Sequence, residues 1–169
     1  MTSEEVNKHG IRRLLDMIPS DLNGLERAVI CNDGTVQTML SAIFYAPIRV
    51  DVVNQHETDT EILRAVKLIA IHEKDHEFVV CRASSVIQKK GLTPGFLVGI
   101  REHNMGIGQL ISSIGINTNR SIFSMDSSKK YFERQYEIKE IPDDTYDRDI
   151  MTITKIETFT RELYAINGV

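Results

Sequence analysis

The strongest constraint on this fold is a pair of long β-forming runs near the middle of the chain. Residues 62 to 71 (Ile-Leu-Arg-Ala-Val-Lys-Leu-Ile-Ala-Ile) and 77 to 87 (Glu-Phe-Val-Val-Cys-Arg-Ala-Ser-Ser-Val-Ile) are β-rich and are joined by five polar residues. Two such runs with so short a connection predict a β-hairpin. Both carry apolar groups at odd and even positions, which predicts central strands covered on each side. Ile48, Val50 and Val52 alternate with Arg49, Asp51 and Val53 in a further, half-buried strand after Pro47. Three more β segments follow at about 119–125, 131–139 and 150–163.

Helices precede and interrupt these strands. Ile11, Leu14, Leu15 and Ile18 recur at helical spacing until Pro19 stops the run. Ser20-Asp21 supplies a cap before Leu22, Leu25, Ala28 and Val29, and Asn32-Asp33-Gly34 breaks that short helix. Val36, Met39, Leu40, Ile43 and Phe44 predict a third helix over 35–45. Two more are expected at 94–103 and 106–114, the latter opened by Gly106-Ile107-Gly108, and the acidic stretch 141–149 reads as an exposed loop. Helices followed by mostly sequential strands indicate an α+β fold with a single antiparallel sheet and helices packed around it. A length of 169 residues suits one domain, residues 1–169, with a core large enough to need neither disulfide nor structural metal.

The charge balance excludes more than it identifies. A formal net charge of −4 argues against a phosphate-tracking surface, so nucleic acid is not expected as a partner. No stretch approaches the ~20 apolar residues that span a bilayer. Met1 to His9 is polar and acidic, unlike a signal peptide, so a cytoplasmic location without membrane partners is expected. Cys31 and Cys81 lie in apolar company without a CxxC partner and read as buried free thiols.

One motif invites a metal and is declined. His72-Glu73-Lys74-Asp75-His76 fits HExxH, but that zinc chemistry requires a helix to place both imidazoles on one face. Here the motif fills the turn between two strands. Gly106-Ile107-Gly108 lacks the third glycine of a dinucleotide fingerprint, since position 111 is Ile, and reads as a loop entering a helix.

The informative residues are ions at strand positions where side chains should be apolar. Glu157 shares parity with Met151, Ile153, Phe159 and Leu163; Arg64 shares it with Ile62, Val66 and Leu68; Arg82 with Phe78, Val80 and Val86. An ion on such a face costs several kcal/mol unless paired or kept for a ligand. Arginine recognises carboxylates bidentately, and a desolvated glutamate is available for proton chemistry, so small carboxylic acids are the natural ligand class. The competing readings are arginines at a sheet rim with their heads in water, and Glu157 in a structural pair with Arg64, Lys155 or Arg161. An odd turn such as 73–75 would set Arg64 opposite Ser84 and Arg82 opposite Val66 on a shared face, and an even turn would separate them, so a shared carboxylate clamp predicts an odd turn or a bulge.

The order of short motifs resembles the chorismate pyruvate-lyase family, in its archaeal and mycobacterial-type branch. The resemblance runs from about Asp33 to Leu163. It comprises Asp33-Gly34-Thr35-Val36, Leu63-Arg64-Ala65-Val66-Lys67-Leu68, Cys81-Arg82-Ala83-Ser84-Ser85-Val86, Met105-Gly106-Ile107-Gly108-Gln109-Leu110, Thr118-Asn119-Arg120 and Ile156-Glu157-Thr158-Phe159. It implies that Arg64 holds a ring carboxylate, with Arg82 as a further substrate-binding candidate. It also implies that Gly106, Ile107 and Gly108 cover the ligand, and that Glu157 faces its 4-hydroxyl and ether side. The implied reaction eliminates pyruvate from chorismate to give 4-hydroxybenzoate, with Arg64 and Glu157 in the catalytic roles and no metal or organic cofactor called for. A non-catalytic module that senses an aromatic or carboxylic acid is the alternative, because a related fold serves that purpose.

Overall fold

The computed structural model describes residues 11–72, 76–103, 105–142 and 149–165. The architecture is α+β, with one six-stranded antiparallel sheet and five helices packed on it. The strands are β1 (Ile48–Glu57), β2 (Glu61–His72), β3 (His76–Gln88), β4 (Thr118–Ser127), β5 (Tyr131–Glu140) and β6 (Thr152–Thr160), in the order β1-β2-β3-β6-β5-β4. Two three-stranded meanders thus meet along β3 and β6. The helices are α1 (residues 11–17), α2 (Gly24–Ile30), α3 (Val36–Phe44), α4 (Pro94–Arg101) and α5 (Ile107–Ile114), and a 3₁₀ turn spans Arg161–Tyr164. Among the described residues no helix is long and apolar enough to cross a membrane. Most of the acidic loop expected at 141–149 lies outside the described residues.

Local chemistry explains the helix boundaries. The cap of α2 is Asn23, not Ser20-Asp21: its side chain accepts from the Glu26 amide at 2.9 Å, while Glu26 returns a carboxylate to the Asn23 amide at 2.7 Å. Asp21 instead pairs with Arg161 at 2.6 Å, tying the chain ahead of α2 to the turn after β6. Thr93 caps α4 with Pro94 in its first turn. Gly115, at φ 76°, ends α5 in the left-handed conformation that costs glycine nothing.

The central hairpin departs from the expected register. His72 pairs with His76, flanking the connection 73–75, which itself lies outside the described residues. The two histidines sit on adjacent strands rather than on one helix, and the His72 ring stacks on Phe78. Ile69 then faces Val79, whereas Leu68 faces Cys81, so Val80 is an extra residue in β3. The Tyr164 hydroxyl donates to the Val80 carbonyl at 2.7 Å, satisfying the backbone where the ladder is interrupted. This bulge reverses parity. Arg64 faces Ser85 and Arg82 faces Lys67, which puts the two arginines on opposite faces of the sheet.

The helices cover one face only. Cys81, Ala83, Ser85 and Ile87 point inward and are buried, while Arg82, Ser84 and Gln88 are exposed on the other face. The apolar run Phe78-Val79-Val80-Cys81 therefore marks a parity change and not a strand covered on both sides. On the inner face the core falls into two clusters. One joins α2 and α3 to Leu68, Cys81, Phe132, Phe159 and Tyr164. The other joins α4 and α5 to Ile62, Ile87, Ile138 and Ile153.

Candidate functional site

A buried polar band separates those clusters. Arg64, Ser85, Lys155 and Tyr136 lie in register across β2, β3, β6 and β5. The adjacent row on the same face is Val66, Ala83, Glu157 and Arg134. Flanking rows are apolar: Ile62, Ile87, Ile153 and Ile138 on one side, and Leu68 and Cys81 with Phe132 and Phe159 on the other. Three cations therefore share the middle of the inner face with the single carboxylate of Glu157.

Glu157 is saturated. Its Oε2 accepts from Arg134 Nε at 2.9 Å and lies 2.7 Å from Arg134 Nη2. Its Oε1 accepts from the Tyr136 hydroxyl and from Lys155 Nζ, both at 2.7 Å. Burial alone would raise the carboxyl pKa, but Lys155 and Arg134 outweigh it and hold Glu157 down at about 2. Lys155 is shifted upward in turn: burial opposes its charge, and the Glu157 carboxylate more than offsets that. Arg134 also donates through Nη1 to the carbonyls of Val29, Ile30 and Asn32, so it binds the C-terminal end of α2, where a cation is favoured.

Arg64 is the opposite case. It is 3% exposed, and no carboxylate among the described residues pairs with it. Its Nη2 donates to the Met105 carbonyl at 2.8 Å, and its Nε has no partner. Desolvation lowers its pKa. Met105 leads directly into Gly106, so this bond brings Arg64 to the segment that opens α5.

That segment closes a small cavity of about 30 Å³ lined by Thr35, Gln37, Ile107, Gly108, Tyr136 and Lys155, among others. Two helix N-termini meet there. Thr35 and Gly106 are the N-caps of α3 and α5, and neither helix has a side-chain cap satisfying its first-turn amides from the N-cap position. The Gln109 side chain only reaches back to the Gly106 amide. Two positive dipole ends therefore lie at the cavity beside Lys155, an arrangement that suits an anion.

The structure therefore brings Arg64, Gly106, Ile107, Gly108 and the partners of Glu157 to one part of the inner face. Lys155 and Tyr136 line the cavity, and Glu157 stands behind them. Arg82 is elsewhere, on the exposed face beside Lys67 and Thr158. Arg134, Lys155 and Tyr136 were open to the same parity test that singled out Glu157. Arg134 and Tyr136 share a face with Phe132 and Ile138, and Lys155 shares its face with Ile153. Among the described residues no group of three or more His, Cys, Asp or Glu side chains could hold a metal ion. No known family model matches the chain, and no curated protein is significantly similar to it.

Proposed function

We propose that the chain is a chorismate pyruvate-lyase whose inner-face cavity takes a ring carboxylic acid. The observation that carries this reading is the excess of buried positive charge. Arg64 has no counter-ion among the described residues, Lys155 is only partly matched by Glu157, and two helix N-termini lie at the cavity that Lys155 lines. Such an arrangement is costly in an empty protein and is offset when an anionic ligand binds. A resemblance in motif order adds the reaction type.

In this reading Arg64 holds the ring carboxylate, and Ile107 with the first-turn amides of α5 covers the ring. The C4–H and C3–O bonds of chorismate break, the C–H electron pair becomes ring π density, and the enolpyruvyl group leaves with the C–O pair. The proton released from C4 is taken up at the methylene carbon of the departing enolpyruvate, which becomes pyruvate. Negative charge develops on the departing oxygen, where Lys155 stabilises it from a fixed position. Glu157, ionised at neutral pH, cannot donate a proton. It keeps Lys155 charged and orients the Tyr136 hydroxyl, which makes it a positioning residue.

The test is incubation of the purified protein with chorismate while pyruvate is followed by a coupled dehydrogenase assay. Pyruvate release is expected, and Arg64→Gln is expected to lower turnover by more than about tenfold, the usual effect of losing a charge-assisted contact to substrate. Chorismate left intact over hours, with 4-hydroxybenzoate still bound, would overturn the lyase reading in favour of a sensing module.

A further inference from the structure

Arg120 has no role in the reading above, yet its surroundings are those of a ligand-binding residue. It lies on β4 opposite Ile138 and faces inward. Its guanidinium stacks 4.8 Å above the Tyr136 ring centroid, and Nη1 donates to the Gly34 carbonyl in the turn before α3. Its Nε is buried without a partner, and no carboxylate among the described residues pairs with it. Arg120 therefore repeats the condition of Arg64 at the other side of the polar band.

Its position is also distinctive. A second, wider cleft of about 280 Å³ opens beside the small cavity and is lined by Asp33, Gly34, Ser112, Asn117 and Thr118, among others. Arg120, Thr35 and Gly108 line both spaces. Arg120 thus stands on the boundary between inner cavity and outer cleft, its Nη1 fixed to one wall by a single neutral acceptor. From β2 to β4 the sheet counts four inter-strand spacings, about 19 Å between backbones. Arg64 and Arg120 thus extend to the inner face from strands on the two sides of the polar band.

We infer that Arg120 is the specificity-determining residue for a second carboxylate, so that the site selects a ring dicarboxylate over a monocarboxylate. This rests on the proposed function, in which the second carboxylate is that of the enolpyruvyl group. Arg64 binds the end that both substrate and aromatic product carry. Arg120 binds the end that only the substrate carries, beside the Tyr136 hydroxyl and Lys155 where the ether bond breaks. The exchange at Arg120 is a neutral acceptor, the Gly34 carbonyl, for a charged and bidentate one.

The experiment is direct calorimetric binding of chorismate and of 4-hydroxybenzoate to the full chain, alongside steady-state pyruvate release. Arg120→Gln is expected to weaken chorismate binding and raise its KM by about tenfold or more, while 4-hydroxybenzoate affinity stays within about twofold. Arg120→Lys, which keeps the charge but loses the fork, should recover part of the loss. Arg64→Gln should weaken both ligands. A merely structural Arg120, holding the Gly34 turn, would weaken both ligands together or neither, and either result overturns the inference. A wild-type protein that binds chorismate more tightly than 4-hydroxybenzoate in an Arg120-dependent way, yet releases no pyruvate, overturns the lyase reading alone. Binding of neither ligand overturns both.

Discussion

Arg64 and Arg134 are the same residue type buried on the same sheet face, yet burial acts on them oppositely. Arg134 has a carboxylate and three helix-terminal carbonyls around it; Arg64 has one carbonyl and an unpartnered Nε. Removing Arg134 leaves Glu157 with less than its full set of partners, and breaking a buried pair in this way costs about 3–5 kcal/mol. Removing Arg64 relieves an unmatched charge. Arg134→Met is therefore expected to lower the urea midpoint sharply, whereas Arg64→Met leaves it unchanged or raises it by about 1 kcal/mol equivalent while abolishing ligand binding. A loss of stability in Arg64→Met comparable to that in Arg134→Met would show that Arg64 serves the fold and not a ligand. Glu157 gives a matching acid signature. Its carboxyl is held at about 2 against an ordinary 4.5, so the stability it contributes is present above about pH 4.5 and is lost as pH falls toward 2. Glu157→Gln should flatten the acid limb of a stability-versus-pH curve between those values, and an unchanged slope would contradict the pairing described.

Legibility at this scale followed strand parity. Glu157 and Arg64 are legible because each places a charge on a strand face of large apolar groups, and Arg134 on β5 does the same between Phe132 and Ile138. Arg120 escapes it. Its neighbours of like parity on β4, Thr118 and Ile122, give no strong apolar face to violate, and its significance comes from contacts with Gly34 and Tyr136 that are far away in sequence.

Elements set the site through two close approaches. The Val80 bulge decides which charges of β3 face the core, and sequence conceals it because Val79, Val80 and Cys81 are all apolar, so a shift of parity leaves no polar trace. Helices α4 and α5 meet at Gly99, where an added methyl group would run into Leu110 Cδ1. Leu110 belongs to the same helix whose N-terminus closes the cavity. Gly99→Ala should displace α5, cost about 1–3 kcal/mol by overpacking, and weaken 4-hydroxybenzoate binding although it lies outside the site. Shortening the obstructing side chain in Gly99→Ala/Leu110→Val is expected to restore both, as a double-mutant cycle on melting and binding would show. Additive losses in the double variant would mean that the two helices do not communicate through that contact.

Across the whole molecule, the polar band would make binding of a ring acid, on the proposed function, a matter of cohesion between two cores. Helices α2 and α3 pack over one cluster, α4 and α5 over the other, and the cavity lies between the N-termini of α3 and α5. At about 30 Å³ that cavity has space for a water molecule or two and none for a ring, so entry of a ring acid requires these two helix ends to separate. On the proposed function, the bound acid would supply the band's missing negative charge and join α5 to β2 through Arg64. Any ligand binding only the folded state stabilises it by mass action, about 2.7 kcal/mol at a hundredfold excess over Kd. Its local effect should be uneven. With 4-hydroxybenzoate, amide hydrogen exchange is expected to slow most in the first turns of α3 and α5, the elements that must part for entry, and least in β4 beyond Phe123 and in α1. Uniform slowing across all elements would mean that the ligand reports only global stability and that the two helix ends do not open on its behalf.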